Sequence, residues 1–311
     1  MKLRVAVSIL ALLAPLFVLI ALGALLHRIG LMPAELITGV NRLLYWIGLP
    51  VVVFHSLATA ERESGAMGPL LAVLLLATAA SVLLAWGWTA LLGVPGAAKG
   101  TFVQAAYRGN LSFIGLPLLL SVPQVPRAPA VLAMAPMLIV YNAVAVTVLL
   151  ASQPETGTRM WRLIGREIGR NPIILASLAG AVWHYAGWPL PRVVERPLAA
   201  LADMTLPLAL LSIGAALMTV PIRGNRRFAT VAALHKVLVS PLLGYAAGRL
   251  LGLEPGALLA ALLCLTCPTA AISYTMVRQM GGDEALAASS VVLSSIFSAP
   301  ALALVLLWFG G

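Results

Sequence analysis

Two short runs of polar and helix-breaking residues interrupt an otherwise apolar chain. One is Arg108-Gly109-Asn110-Leu111-Ser112-Phe113-Ile114-Gly115-Leu116-Pro117, and the other is Thr266-Cys267-Pro268-Thr269-Ala270-Ala271-Ile272-Ser273-Tyr274. A proline inside a helix cannot donate to the carbonyl four residues back, so Pro117 frees the Phe113 carbonyl and Pro268 frees that of Cys264. A break also exposes backbone N–H groups at the start of the following half-helix, whose partial positive end suits a carboxylate or another anion. Asn110 adds a side chain with both donors and an acceptor. The chemistry this permits is reversible binding of an anion. Candidate contacts are Asn110, Gly109, Ser112, Thr269, Ser273 and Asn142, with Gly115, Pro117 and Pro268 shaping the breaks. Each breaker taken singly also fits an ordinary kink, and the glycines also fit close helix packing.

Ionisable residues inside apolar stretches are costly without a partner or a task. Here they are Arg108, Lys236, His235, Asp203 and His55. Arg108 and Lys236 could bring positive charge to an anion cavity; equally, Arg108 could snorkel to a membrane face and Lys236 could bond backbone carbonyls. His55 and His235 read as packed, neutral and hydrogen-bonded. Asn142, Ser294, Ser295 and Ser298 fit either ligand contact or interhelical hydrogen bonding. Asp203 falls near the start of its stretch and no carboxylate pair lies near either break, so a cation site built on paired acids is unsupported. The sequence holds no His-Glu-x-x-His and no Gly-x-Ser-x-Gly, so no catalytic residue, metal site or cofactor is implied. Cys264 and Cys267 read as small packing residues.

The elements that must position these residues are membrane spans. Apolar residues make up 61% of the 311 positions and charged residues only 10%, far outside the range of water-soluble domains. The net charge of +10 does not indicate nucleic acid, because the basic residues lie between apolar stretches, where topology and lipid headgroups account for them. Stretches able to cross about 30 Å of hydrocarbon fall near residues 5–26, 36–58, 68–92, 98–121, 129–151, 168–187, 197–219, 227–251, 256–279 and 283–309. The breaks lie in the fourth and the ninth. The first stretch follows Lys2 and Arg4 like a secretory leader. It is counted as a span because it is long and ends at His27-Arg28 without a small-residue cleavage site.

The chain reads as one half written twice. Pro15, His27, Gly30 and Pro50 recur 157 residues later as Pro172, His184, Gly187 and Pro207. Leu92-Gly93 and Pro95-Gly96-Ala97 return as Leu251-Gly252 and Pro255-Gly256-Ala257, and Tyr141-Asn142-Ala143 faces Phe297-Ser298-Ala299. The halves are 1–151 and 171–311, joined by a linker at 152–170. Five spans is an odd number, so the second half is inverted. At the breaks the copies differ, since Asn110 faces Ala270 and Pro117 faces no proline.

Eleven basic residues lie on the linker's side: Arg28, Arg42, Lys99, Arg159, Arg162, Arg166, Arg170, Arg223, Arg226, Arg227 and Arg278. Seven lie opposite: Lys2, Arg4, Arg62, Arg127, Arg192, Arg196 and Arg249. This bias places the linker in the cytoplasm and both termini outside.

Asn110 followed by Gly115-Leu116-Pro117-Leu118-Leu119 resembles the auxin efflux carrier family, within a bile acid/sodium symporter-like superfamily. Plant members of the family export indole-acetic acid, and bacterial members include proteins described as malate or malonate carriers. Leu49-Pro50, Arg170-Asn171-Pro172, Leu206-Pro207, the segment from Lys236 to Pro241, Pro268-Thr269 and Gly281-Gly282-Asp283 are similar to bacterial members. The resemblance implies an all-α integral membrane fold of ten transmembrane helices in two inverted five-helix repeats, with broken fourth and ninth helices crossing at mid-membrane. It further implies a scaffold of spans 1, 2, 6 and 7 and a moving transport unit of spans 3–5 and 8–10. In the plant carriers an asparagine near the crossing meets the substrate carboxylate, a role that would fall on Asn110. Ser273 stands where the plant pattern has a second proline, and the plant asparagine contact in the ninth span has no match. These departures point away from an aromatic auxin-like substrate and leave a small carboxylate.

The expectation is an elevator-type secondary transporter of small mono- or dicarboxylates in a bacterial inner membrane, not an enzyme. Its partners would be the organic anion and membrane lipid, without nucleic acid, and a homodimer through the scaffold spans stays open. Two other readings remain: a cation/proton antiporter or sodium-coupled symporter of the same architecture, and a membrane sensor that binds without transporting.

Overall fold

The computed structural model of the chain describes residues 18–59, 67–152, 170, 172–219 and 225–309. Lys2, Arg4, Pro15, Arg62, the linker residues Arg159, Arg162 and Arg166, Asn171 and Arg223 lie outside the described residues. So do the first part of the first expected span and most of the linker.

Among the described residues regular structure is helical, apart from one isolated antiparallel bridge between Gly109 and Thr269. A chain this apolar has little choice, because in hydrocarbon only a helix or a closed barrel satisfies its own backbone groups. In chain order the helices are α1 (Val18–Arg28), α2 (Ala34–Ala58), α3 (Met67–Leu91), α4 (Gly96–Tyr107), α5 (Leu111–Ser121) and α6 (Arg127–Ala151). There follow α7 (Pro172–Ala186), α8 (Arg192–Thr219), α9 (Arg226–Leu250), α10 (Pro255–Thr266), α11 (Ile272–Gln279) and α12 (Glu284–Phe309). Six of them, α2, α3, α6, α8, α9 and α12, are long and apolar enough to cross a membrane. Their outer faces carry exposed Leu83, Val193, Leu250 and Trp308, which suits lipid and not water.

Proline sets local geometry in three of these helices. Wide π-helical turns occupy Leu44–Gly48, Leu111–Gly115 and His235–Val239, and each lies just ahead of a proline, Pro50, Pro117 or Pro241. The carbonyl four residues before the proline, at Trp46, Phe113 or Val237, sits at the centre of the turn. Widening the helix there relieves the clash with the ring and lets the chain continue without a stop. Pro117 therefore does not break its helix. The break lies at residues 108–110, and Pro117 is absorbed within α5.

Glycines at matching places in the two halves close helices in the same way. Gly93 (φ +66°) and Gly252 (φ +63°) both take the left-handed conformation that other residues avoid. Each N–H bonds the carbonyl three residues back, Gly93 to Ala90 and Gly252 to Arg249, both at 3.3 Å. The next residue then bonds the carbonyl five back, Val94 to Thr89 at 2.9 Å and Leu253 to Gly248 at 2.8 Å. This is the Schellman termination, which satisfies carbonyls that a helix end leaves open. Gly30 and Gly187 form a second pair, at φ +82° and +67°.

Packing links the helices through one main core, with α6 touching α7 and α2 as well as α3 and α4. The α2 helix packs mainly on α7 and α8, whereas α9 packs on α3 and α12, and α4 on α3, α6 and α9. The main core gathers Phe102, Tyr107 and Leu111 with Leu70, Leu74, Leu259 and Leu263 around α4 and α10. Both interrupted segments are thus held at the protein's centre.

Candidate functional site

The α4 helix stops at Tyr107 and α10 stops at Thr266. Beyond each end the chain runs extended and the two segments bond one another. The Asn110 N–H donates to the Pro268 carbonyl at 2.8 Å, and the Ala270 N–H donates to the Arg108 carbonyl at 3.0 Å. These bonds fix Gly109 opposite Thr269 and satisfy backbone groups that would otherwise be stranded away from water.

Asn110 then turns the chain into α5. Its φ of −79° and ψ of 68° form an inverse γ-turn closed by the Leu111 N–H on the Gly109 carbonyl at 3.0 Å. Its carboxamide oxygen accepts from the Phe113 N–H at 3.3 Å, capping α5. The carboxamide oxygen is thus engaged by the fold, and the NH2 group has no partner among the described residues.

The last carbonyls of both stopped helices are capped by side chains from elsewhere. Thr269 Oγ1 donates to the Ala105 carbonyl at 2.8 Å and Ser240 Oγ to the Ala106 carbonyl at 3.4 Å. Lys236, fully buried, donates its ammonium to the Leu265 carbonyl. A cation there meets the partial negative end of α10. Gly109 makes room for it, since a Cβ on Gly109 would lie 3.2 Å from the Cys264 oxygen and 3.3 Å from Lys236 Cε. Arg108 is also buried, and its guanidinium donates to Asn142 Oδ1 and to the Met276 sulfur.

Two large cavities flank the crossing. The first, about 710 Å³, lies between α2 and α8 on one wall and the interrupted segments with α12 on the other, and it reaches Asn110 and Thr269. The second, about 690 Å³, is lined by His55, Arg127 and Asp203 among others and reaches Pro117 without reaching Asn110. A cleft of about 50 Å³ behind Asn110 is lined by Arg108, Gly109, Ser112 and Asn142. Asn110 alone of the expected contacts lines both the first cavity and this cleft.

A family model described as membrane transport protein matches residues 8–306. The chain belongs to the auxin efflux carrier family. It is similar to "Auxin efflux carrier component 6" of Arabidopsis thaliana, at 27% identity over 144 residues, 44% of this chain and 25% of the plant protein. "Auxin efflux carrier component 3" of the same plant is 22% identical over 144 residues, again 44% of this chain and 22% of that protein. A protein of Rhizobium meliloti (strain 1021) named "Putative malonate transporter" is 25% identical over 311 residues, covering 94% of this chain and 92% of that protein. The chain thus spans about a quarter of the plant carriers' length and nearly all of the bacterial protein's. As a membrane transport protein of this family, with several long apolar helices, it is integral to the membrane.

Within this family member the structure gathers some expected residues and separates others. Asn110, Thr269 and Gly109 meet at the crossing; Asn142 joins through Arg108, and Ser112 faces the small cleft. Ser273 is buried, lines none of these cavities, and its hydroxyl has no partner among the described residues. Gly115 lies inside the π-helical turn. Of the alternatives for Lys236 the structure realises the backbone bond. His235 bonds Ser81 Oγ through Nε2 at 2.9 Å, while its Nδ1 and the buried Nε2 of His55 have no partner among the described residues. Asp203 does not sit at a helix start. The α8 helix begins at Arg192, directly after Pro191, whose carbonyl takes the Val194 and Glu195 N–H groups, so Asp203 falls in the helix interior beside the second cavity. Sequence reasoning missed Asn41, Ser212, Tyr274 and Glu284. The signal for the first two was a polar residue inside each of the 36–58 and 197–219 stretches.

Proposed function

We propose that the protein is a secondary transporter of small organic anions, mono- or dicarboxylates, that binds them at the crossing of two interrupted spans. The observation that carries this reading is the reciprocal backbone pairing of residues 108–110 with 268–270, which holds Asn110 and Thr269 at the head of a cavity of about 710 Å³. Asn110 donates its amide to a substrate carboxylate. Pro268 shapes the second break, Gly109 allows the close approach, and buried Arg108 and Lys236 supply positive potential from behind.

The architecture in this reading is ten spans in two inverted five-helix halves. The matching glycine terminations at Gly93 and Gly252 support the duplication. The close packing of α2 on α7 and α8 supports a scaffold of α1, α2, α7 and α8 and a transport unit of the remaining helices. Cavities on either side of the crossing suit an elevator that carries Asn110 from one to the other. The basic-residue bias orients the linker to the cytoplasm and both termini outward, in a bacterial inner membrane. A homodimer would use the scaffold helices.

The test is uptake of labelled malonate, malate and indole-acetate by vesicles containing the purified chain. Saturable uptake of a carboxylate that collapses in Asn110→Ala supports the reading. Flux that follows only a Na⁺ or pH gradient would sink it in favour of an antiporter, and binding without flux would favour a sensor.

A further inference from the structure

We infer that Asn41 is the second anion-binding pole of the cavity and makes it selective for a small dicarboxylate; this rests on the reading of Asn110 above. Asn41, on α2, lines the 710 Å³ cavity on the wall opposite Asn110. Its carboxamide oxygen accepts from Ser212 Oγ of α8 at 2.6 Å.

Several hydroxyls inside the helices fold back on their own backbone, as Ser121 does to Pro117, Thr147 to Ala143, Thr205 to Leu201 and Thr266 to Leu262, whereas others, such as Ser81 and Ser240, bond a neighbouring helix. Ser212 is buried and belongs to this second group, reaching from α8 to α2. The consequence is orientation: with its oxygen held by Ser212, the Asn41 amide nitrogen is the free end. The same logic holds at Asn110, whose oxygen is held by the Phe113 N–H. Among the described residues neither amide nitrogen has a protein partner. Two amides on facing walls thus each keep a free NH2 donor.

A ligand that satisfies both must carry acceptors at both ends. A monocarboxylate can satisfy Asn110 only and leaves Asn41 unpaired. Glu284 lines the same cavity at the first residue of α12, exposed, with its carboxylate taken by the Tyr274 hydroxyl at 3.1 Å. Its charge disfavours a second carboxylate on that side and leaves Asn41 as its place.

The experiment compares labelled malonate with labelled acetate in vesicles carrying the full chain, for wild type, Asn41→Ala, Asn41→Ser, Ser212→Ala and Asn110→Ala. The expected result is that Asn41→Ala lowers kcat/KM for malonate about tenfold to a hundredfold, the range for losing a bond to a charged group, with acetate changed less than about twofold. Ser212→Ala moves the same ratio in the same direction by less. If Asn41→Ala does not fold, Asn41→Ser keeps a partner for Ser212 but no amide and is read in the same way. Equal losses for both anions, or no loss for either, in the Asn41 variants would overturn the inference. If Asn110→Ala then still abolished uptake, the crossing site would stand without it. Uptake of neither anion by wild type would overturn both.

Discussion

The two interruptions are alike in backbone and unlike in side chain. Each ends a helix, extends for a few residues and donates one N–H to a carbonyl of the other, from Asn110 to Pro268 and from Ala270 to Arg108. The first segment carries Asn110, whose amide nitrogen remains available, with Arg108 beside it. The second carries Thr269, whose hydroxyl hydrogen is spent on Ala105 and whose N–H is spent on Ser294. Mutual pairing solves a problem common to both, unsatisfied backbone away from water. Thr269 then has no donor left for a ligand whereas Asn110 keeps its amide nitrogen, so in the proposed reading the first break binds substrate and the second supports it.

The largest test of that asymmetry is Asn110→Ala. Uptake should fall about a hundredfold, as for loss of a bond to a charged group, while losing the cap costs stability only about 1 kcal/mol. Flux and thermal unfolding in detergent separate the two effects, and a large loss of folding with little loss of specific flux would make both breaks structural. Lys236→Met comes next. It leaves the buried Leu265 carbonyl without its donor, at about 1–3 kcal/mol, so the unfolding temperature should drop more than in Lys236→Gln, where an amide can still donate. Gly109→Ala puts a methyl against Lys236 and the Cys264 oxygen, and overpacking of this kind costs about 1–3 kcal/mol. Uptake should fall with it, because Gly109 bridges the crossing. Thr269→Val removes one hydroxyl bond worth about 1 kcal/mol, and its flux should drop only as far as its stability does. Ser273→Ala should do least, within about 0.5 kcal/mol and with flux unchanged, because its hydroxyl has no partner among the described residues and faces none of the cavities. A clear flux defect there would mean that the second break also touches substrate, and the asymmetry would fail.

What was legible beforehand depended on whether a residue's effect is local. Pro268 announces a break from its own chemistry, and α10 stops just before it; Asn110 announces a donor in the same local way. Pro117 announces a kink with equal force, but a π-helical turn absorbs it, and nothing in Leu111 to Gly115 distinguishes that outcome from a stop. Lys236 was readable as a buried cation, yet its target, Leu265, lies 29 residues away. Asn41 and Ser212 are 171 residues apart, and each alone is an ordinary polar residue in a span.

By itself the sequence determined a helical membrane protein with two weak points, because hydrocarbon forces every apolar stretch into a helix and proline and glycine mark where that rule is broken. It determined the glycine terminations for the same reason, since only glycine takes a positive φ without cost. Tertiary structure decided which donors remain free. A hydroxyl, an ammonium or an amide can bond its own helix, a neighbour or a ligand, and the choice turns on which groups distant segments bring within about 3 Å. The availability of Asn110, the commitment of Thr269 and Lys236, and the orientation of Asn41 by Ser212 all follow from that packing.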